Sequence, residues 1–490
     1  MKTPFNIPKE VSRVTETLQN AGFEAYLVGG CVRDMLRGES PKDWDITTNA
    51  TPEEIQKLFE DSFYENDYGT VGVVNKETED KTLKVIEVTP YRIEGKYSDG
   101  RRPDEVHFSD NLEDDLKRRD FTVNAIAYSI SKGQIVDPYK GQKDIKDKVL
   151  RTVGKPEERF GEDALRILRA VRLATELGFT INTETEKAIK QLASTLENIS
   201  KERIRDEFIK IIMSSRPMDG IILANKLGIL KYIIPELENG IGLEQNGDHI
   251  YTIWEHNLRA LKHSADRKWP LHVRLAALLH DISKPETRRW SKEKNDWTFY
   301  GHDVVGGRVS REILNRLKFS KDMVNVISKL VRYHLFFSDV EKITLSAVRR
   351  IVRNVGPENV WDLMKVRACD RIGMGRPKET PYRLRKYEAM IEEAMRAPIS
   401  VQMLKIDGAK IMDVTREKPG PKIGLILHAL LEEVLDDPER NTEEFLTKRV
   451  QELIKLPEEE LKKLGEKGRE KKEKEEEKEI AEIRKRHWVK

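Results

Sequence analysis

Apolar and polar positions alternate along the chain with two different periods. Val11, Val14 and Leu18 stand three and four apart ahead of Gly22, which predicts a helix ending at a turn. Tyr26-Leu27-Val28, bounded by Gly29 and Gly30, reads as a strand, and Trp44 to Thr47 reads as a second. Thr51-Pro52-Glu53-Glu54 is a helix start, with Thr51 as N-cap, Pro52 in the first turn and Glu54 closing a capping box. Two more strand-like runs, Thr70 to Asn75 and Leu83 to Thr89, are joined by a polar, charged turn. Tyr91 to Glu105 has no apolar period and is rich in Gly, Asp, Ser and Arg, so a mobile loop is expected.

Farther on, the helical period dominates. Leu165, Leu168, Val171 and Leu173 predict one helix over 156–177 stopped by Gly178, and Ser200 to Met213 predicts another. Leu275 to Leu279 is an apolar helical run ending at His280-Asp281. Met403 to Leu456 is helical in pattern, with Gly420-Pro421 leading into Ile426, Leu427, Leu430, Leu431 and Val434. Beyond Pro457 the chain is almost entirely Lys and Glu. Leu461, Leu464, Ile480 and Ile483 are too sparse to seam a coiled coil, so 466–485 is expected to be a solvated helix or a disordered tail.

Composition adds limits. At 490 residues the chain is too long for one core, so several domains are expected. Lys plus Arg number 88 against 85 acidic residues, so any RNA surface must come from local segregation of charge. Cys31 and Cys369 supply no disulfide framework, which points to a reducing compartment. Met1 to Glu10 lacks an apolar signal segment and no run of about 18 apolar residues occurs. A soluble cytoplasmic protein is expected, with no membrane partner.

The candidate chemistry begins at Gly29. A Gly-Gly turn after a strand lets backbone N–H groups approach a triphosphate, and a helix starting at Cys31 would bring its dipole and Arg33 to the same anion. If Trp44 to Thr47 is a strand, Asp43 and Asp45 share a face with Cα atoms ~7 Å apart. From there their carboxylates can converge on two Mg²⁺ ions about 3.5–4 Å apart. Glu87, between Ile86 and Val88, is a candidate third ligand or a strand glutamate facing water. In RRDFTVNAIAY, Arg118 and Arg119 offer guanidinium forks to phosphates. Asp120 and Asn124, four apart, can take ribose hydroxyls if helical; a structural Arg-Asp pair is the alternative. Glu162-Asp163-x-x-Arg166, followed by Arg169, is either a surface ion pair or a base reader. A carboxylate that accepts beside a guanidinium that donates matches cytosine and adenine edges and mismatches uracil and guanine.

A second constellation is His256, His280-Asp281, His302, His334 and Asp370. Imidazole plus carboxylate suits Mn, Fe, Ni, Mg or Zn. This order resembles the metal-dependent phosphohydrolase (HD) domain named after its His-Asp pair.

Together, Gly-Gly-x-Val-Arg-Asp, Leu-x-Gly, Asp-x-Asp and x-x-Thr resemble the first motif of the nucleotidyltransferase superfamily that includes DNA polymerase beta. The likeness is to its branch of class II tRNA nucleotidyltransferases and bacterial poly(A) polymerases; Arg37 stands where that family often has Leu. The resemblance implies an α+β fold: a mixed-sheet catalytic head over 1–150, a helical base-reading neck over 151–240, an HD domain over 241–345, a helical tRNA-binding body over 346–455 and a charged tail. It implies Asp43, Asp45 and Glu87 as catalytic, two Mg²⁺ in the head, and Gly29, Gly30, Arg33, Arg118, Arg119, Asp120, Asn124, Asp163, Arg166 and Arg169 as nucleotide-binding. Glu162 is implied to orient the Asp163–Arg166 pair, and Asp137 to Gly141 to act as a hinge. The loop at 91–105 is implied to assist the final adenosine addition. Implied partners are CTP, ATP and the tRNA 3′ end. The activity implied is stepwise CCA addition. Its rivals are A-only addition beside a separate CC-adding enzyme, poly(A) synthesis, and a main activity in the HD domain. The oligomeric state is left open.

Overall fold

The computed structural model describes residues 5–65, 69–95, 105–247, 249–335, 345–395, 404–436 and 438–464. The 96–104 stretch of the expected loop and the 465–490 part of the tail lie outside the described residues. The chain divides into two compact units. The first comprises 1–334 with 369–376, and the second 335–368 with 377–490.

The first unit opens with α1 (Lys9–Asn20), β1 (Ala25–Val28), α2 (Gly30–Leu36), β2 (Asp45–Thr48), α3 (Pro52–Leu58), β3 (Ser62–Tyr64), β4 (Val71–Val74) and β5 (Val85–Pro90). Next come β6 (Arg92–Glu94), β7 (Val106–Phe108), α4 (Leu112–Lys117), β8 (Ala127–Ser129), β9 (Gln134–Val136) and α5 (Gly141–Asp147). Seven strands form one mixed sheet in the order β3-β4-β5-β2-β1-β8-β9. Within it β2 runs antiparallel to β1 and parallel to β5, pairing Asp45 with Glu87. Because side chains alternate along a strand, Ile46, Ile86 and Val88 enter the core with Val11, Leu18 and Leu27, while Asp45 and Glu87 stay on the other face. The expected capping box holds α3: Thr51 Oγ1 accepts from the Glu54 N–H, and the Thr51 N–H donates to Glu54 Oε2 at 2.8 Å.

Two expectations change here. The second strand, expected over Trp44 to Thr47, is Asp45–Thr48 and follows a bend at Lys42-Asp43, so strand alternation does not extend to Asp43. The ends of the expected loop are paired as β6 and β7, with Gly95 N donating to Glu105 O at 2.9 Å. Such pairing is made by backbone groups and needs no apolar period.

The helical part continues with β10 (Val149–Leu150), α6 (Pro156–Glu162), α7 (Leu165–Leu177), β11 (Thr180–Ile181), α8 (Thr183–Leu192), α9 (Lys201–Met213), α10 (Pro217–Lys226) and α11 (Pro235–Glu238). The helix expected over 156–177 is therefore two. Asp163 is extended (φ −145°, ψ 106°), and its Oδ1 accepts from the Leu165 N–H at 3.0 Å, capping the second helix. Gly178 ends α7 at φ 68°, as expected. Then follow α12 (Ile253–Asp266), α13 (Leu271–Leu279), α14 (Lys284–Thr287), β12 (Arg289–Ser291), β13 (Asp296–Thr298), α15 (His302–Arg316) and α16 (Lys321–Tyr333).

The remaining helices are α17 (Leu345–Val355), α18 (Val360–Gly373), α19 (Tyr382–Met395), α20 (Gly408–Thr415), α21 (Pro421–Asp436) and α22 (Glu443–Leu453). In the second unit Leu404, Ile411, Ile426, Leu430, Leu446 and Val450 share one core, as the apolar pattern after Gly420-Pro421 implies.

Candidate active site and metal centre

Gly29 stands at the junction of β1 and α2 with φ +79°, in a backbone region that L side chains rarely adopt. A Cβ there would lie 3.0 Å from Arg119 Nη1 and 3.5 Å from Asp45 Oδ2. The turn thus brings backbone, guanidinium and carboxylate together. Gly30, Arg33, Asp43, Asp45, Asn124 and Arg169 line one cavity of about 740 Å³.

Basic and acidic side chains both line the cleft, and the carboxylates of Asp43, Asp45 and Glu87 act on one another. Desolvation raises the Asp45 carboxyl; Arg119 and Arg33 pull it down, and Asp43 pushes it up. Glu87 keeps an exposed side chain, yet its carboxyl is pushed up to about 7, first by desolvation and then by the charges of Asp45, Glu65 and Asp43. Mutually repelling carboxylate oxygens are the donor set that a hard divalent cation such as Mg²⁺ takes. Among the described residues, however, these three are not gathered within single-ion distance of one another; the two groups that are lie in the helical part.

The nucleotide-binding candidates form a hydrogen-bonded chain. Arg33 Nη1 donates to Asn124 Oδ1 at 2.8 Å, Asn124 Nδ2 to Asp120 Oδ1 at 3.2 Å, and Arg169 to Asp120 Oδ2 at 2.9 and 2.7 Å. Asn124 sits in a 3₁₀ turn, so it meets Asp120 without the α-helix the spacing suggested. Burial alone would raise Asp120; the Arg169 charge and its hydrogen bonds outweigh that and bring it to about 2.

Arg118 and Arg119 are both held by Asp115, which the sequence reading missed. Its fully buried carboxylate gives Oδ1 to Arg118 at 2.9 Å and Oδ2 to Arg119 at 3.0 Å. The steps of three and four residues from Asp115 were the available signal.

Asp163 and Arg166 are each held by another residue. Arg203, on α9, donates to Asp163 Oδ2 at 2.6 Å and to Oδ1 at 3.3 Å. Arg166 is bonded to Glu162 and to the carbonyls of Arg159 and Arg118, at 3.0 and 3.4 Å. Neither lines the cavity. Asp163 does act on Arg169, which lines it, and Arg166 acts on Asp120, the partner of Arg169. Asp137, in the expected hinge, caps α5 by accepting from the N–H groups of Gly141 and Gln142 at 2.7 and 2.9 Å.

The second constellation closes fully. His256, His280, Asp281 and Asp370 offer ligand atoms within 4.8 Å of one another, and so do Asp281, His302 and His334; all six are buried. His280, His302 and His334 pair Nδ1 with the carbonyls of Ala277, Phe299 and Val331 at 2.8, 2.6 and 2.7 Å. A carbonyl only accepts, so each of these Nδ1 atoms carries a proton and each Nε2 is turned inward, where it can ligate a metal once it holds no proton of its own. His256 and His280 bring their Nε2 atoms 2.8 Å apart. Burial lowers His280, but Asp281 and Asp370 outweigh it and push it up to about 10. These buried groups could hold a metal. Lys284, also missed, places Nζ 2.6 Å from Asp281 Oδ2. The step from Asp281 to Lys284 was its only trace in the sequence.

Comparison with known proteins bears on both sites. Residues 25–151 match the poly A polymerase head domain, 178–241 the probable RNA and SrmB-binding site of polymerase A, and 253–373 the HD domain. The chain is similar to the CCA-adding enzyme of Geobacillus kaustophilus, 37% identical over 314 residues, which are 60% of this chain and 74% of that one. It is 49% identical over 199 residues to that of Lactobacillus helveticus, covering 40% of this chain and 48% of the relative. The chain spans about half the length of the first such relatives. The crystal structure of the Bacillus stearothermophilus CCA-adding enzyme in complex with CTP matches with a TM-score of 0.61 and 28% identity, over 92% of this chain and 98% of that one. Among the described residues no helix is long and apolar enough to cross a membrane.

Proposed function

Because the chain belongs to the CCA-adding enzyme family, we propose that it adds C, C and A in turn to the 3′ end of tRNA from CTP and ATP, without a nucleic-acid template. The observation that carries this is the close approach of Gly29, Arg119 and Asp45, the last of which lines one cavity with Arg33, Asp43 and Asn124. A related enzyme is known with CTP bound.

Arg33, Arg119 and the backbone of Gly29 and Gly30 would receive the triphosphate, the guanidinium forks matching its oxygens. Asp120 accepts four hydrogen bonds, from the Phe121 N–H and Asn124 on Oδ1 and from Arg169 on Oδ2, so it would take a ribose hydroxyl by giving up one of them. Asp163 and Arg166 would read the base edge once they are shared with it. Asp43, Asp45 and Glu87 would hold two Mg²⁺. When bound, these ions supply activation of the RNA 3′-hydroxyl and neutralisation of the leaving pyrophosphate. In this division 1–150 is the catalytic head, 151–240 the neck, 241–345 the HD domain, 346–455 the tRNA-binding body, which lends Asp370 to the His/Asp centre, and 456–490 the tail.

The test offers tRNAs ending before C74, C75 and A76 with each triphosphate separately. CTP should extend the first two and ATP the third. Extension of the CC-ended tRNA alone would replace this reading with A-only addition, and unlimited A tails would replace it with poly(A) synthesis.

The buried His/Asp groups favour a second reading beside the first: a phosphohydrolase centre holding Mn, Ni, Fe, Mg or Zn. Three imidazoles with protonated Nδ1 and converging Nε2 atoms support it.

A further inference from the structure

Between Asp281 and His302, two groups of the buried His/Asp centre, the chain leaves the helices as the β12–β13 hairpin. Arg289 pairs with Thr298, Trp290 with Trp297 and Ser291 with Asp296. Both ends are tied to the centre. On the incoming side Lys284 contacts Asp281; on the outgoing side the Phe299 carbonyl accepts from His302 Nδ1.

The hairpin carries aromatic surface that a protein core would normally take in. Trp290 is 50% exposed and Tyr300 is 73% exposed, the highest value among the large apolar side chains described. Trp290 is braced rather than loose. Trp297 meets it edge to face at 5.2 Å, and the Arg288 guanidinium lies 3.6 Å over the Trp297 ring. Lys294 donates to Tyr300 Oη at 2.7 Å.

Cations interleave with these rings. Arg288, Arg289, Lys292 and Lys294 stand against Glu293 and Asp296. Asp296 is turned back onto the fold, accepting from the N–H groups of Gly247 and Trp297 at 3.2 and 2.7 Å. Rigid exposed rings among Arg and Lys are what a single strand of nucleic acid needs, because any base stacks on a ring while its phosphates meet the cations. A duplex buries its base faces and could use only the charges.

We propose that the β12–β13 hairpin binds single-stranded RNA, stacking bases on Trp290 and Tyr300 and seating phosphates on Arg289 and Lys292, and so presents an RNA end to the buried His/Asp centre. Presentation to the centre rests on the phosphohydrolase reading above; RNA binding by the hairpin does not.

The test uses the full chain and a short fluorescein-labelled oligoadenylate, read by anisotropy with EDTA present, together with cross-linking of a 4-thiouridine oligonucleotide. Trp290→Ala should weaken affinity about tenfold, Trp290→Phe should restore most of it, and cross-links should fall on the hairpin. Arg289→Gln with Lys292→Gln should flatten the salt dependence. Circular dichroism and an unchanged metal content of the Trp290→Ala protein separate this loss from misfolding. Equal affinity of the wild type and the Trp290→Ala/Tyr300→Ala double variant, or cross-links confined elsewhere, overturns the proposal. Should His280→Ala keep its metal while Trp290→Ala still loses RNA, the phosphohydrolase reading falls and the binding surface stands.

Discussion

Asp163 and Arg203 are joined by a hydrogen bond of 2.6 Å between residues forty apart in sequence, one at the break between α6 and α7, the other on α9. The carboxylate assigned to base reading is thus aimed from a different helix. Arg203→Ala should leave it held only by the Leu165 N–H and less firmly aimed. Discrimination of CTP and ATP against UTP and GTP should fall roughly tenfold, with the fold intact. Competitive incorporation assays measure this; unchanged selectivity would remove Arg203 from the mechanism.

Asp115 supports two guanidiniums with one buried carboxylate. Replacing it with Asn leaves Arg118 and Arg119 without their counter-charge, a change that costs about 3 kcal/mol in buried pairs. Burial would raise this carboxyl, but Arg119 and Arg118 outweigh that and hold it below its ordinary range. The stabilisation is therefore present at neutral pH and lost as pH falls through the lowered value. Thermal unfolding should show a gap between wild type and Asp115→Asn at pH 7 that narrows in acid, and the variant should bind triphosphate more weakly.

Gly29→Ala would add a methyl 3.0 Å from Arg119 Nη1 on a backbone at φ +79°. With ψ −131° this backbone lies in a region open almost only to glycine, and holding an L residue there costs on the order of 1–3 kcal/mol. The fold should survive while nucleotide addition falls on the order of a hundredfold, because the turn must shift under the triphosphate. Near-normal kcat/KM would show that the close approach is not needed.

Glu87, pushed up to about 7, binds its proton more tightly in the folded chain than in the unfolded one. Its contribution to stability is therefore full in acid and is lost as pH rises through 7. Metal-free Glu87→Gln should gain stability relative to wild type at pH 8 and not at pH 4, and should lose activity. In the wild type, raising Mg²⁺ should move the activity midpoint to lower pH, since metal and proton compete. A midpoint independent of Mg²⁺ would exclude Glu87 as a ligand.

His280→Ala removes a buried imidazole shared by the tight His/Asp cluster. Purified wild-type protein should carry a divalent metal by elemental analysis, and the variant should lose it. Retention of metal in the variant would count against the cluster as its holder.

Much of this was legible in the chain because local chemistry decides it. The alternation Ile86-Glu87-Val88 put the glutamate on the face opposite the core, and Thr51 with Glu54 capped its helix as the pattern implies. Other features depend on partners distant in sequence. The helix break at Asp163 arises where a side chain can cap the next turn, and apolar spacing continued across it without a gap. Asp163 meets Arg203 only because α7 packs on α9, which no local period encodes. The strand expected from Trp44 begins at Asp45, and Asp43, expected to share its face, lies in the preceding bend, because an alternation of two residues cannot locate the first ladder bond.

The pairing of Asp45 with Glu87 across parallel strands has an evolutionary corollary. Their juxtaposition is set by ladder register, while the crossover through α3, β3 and β4 only has to return the chain to the neighbouring strand. Loops joining these elements are thus free to lengthen or shorten between lineages, whereas a one-residue insertion inside β5 would turn the acid inward. Indels among descendants of this gene should accordingly avoid residues 85–90 and gather in the turns on either side of β4.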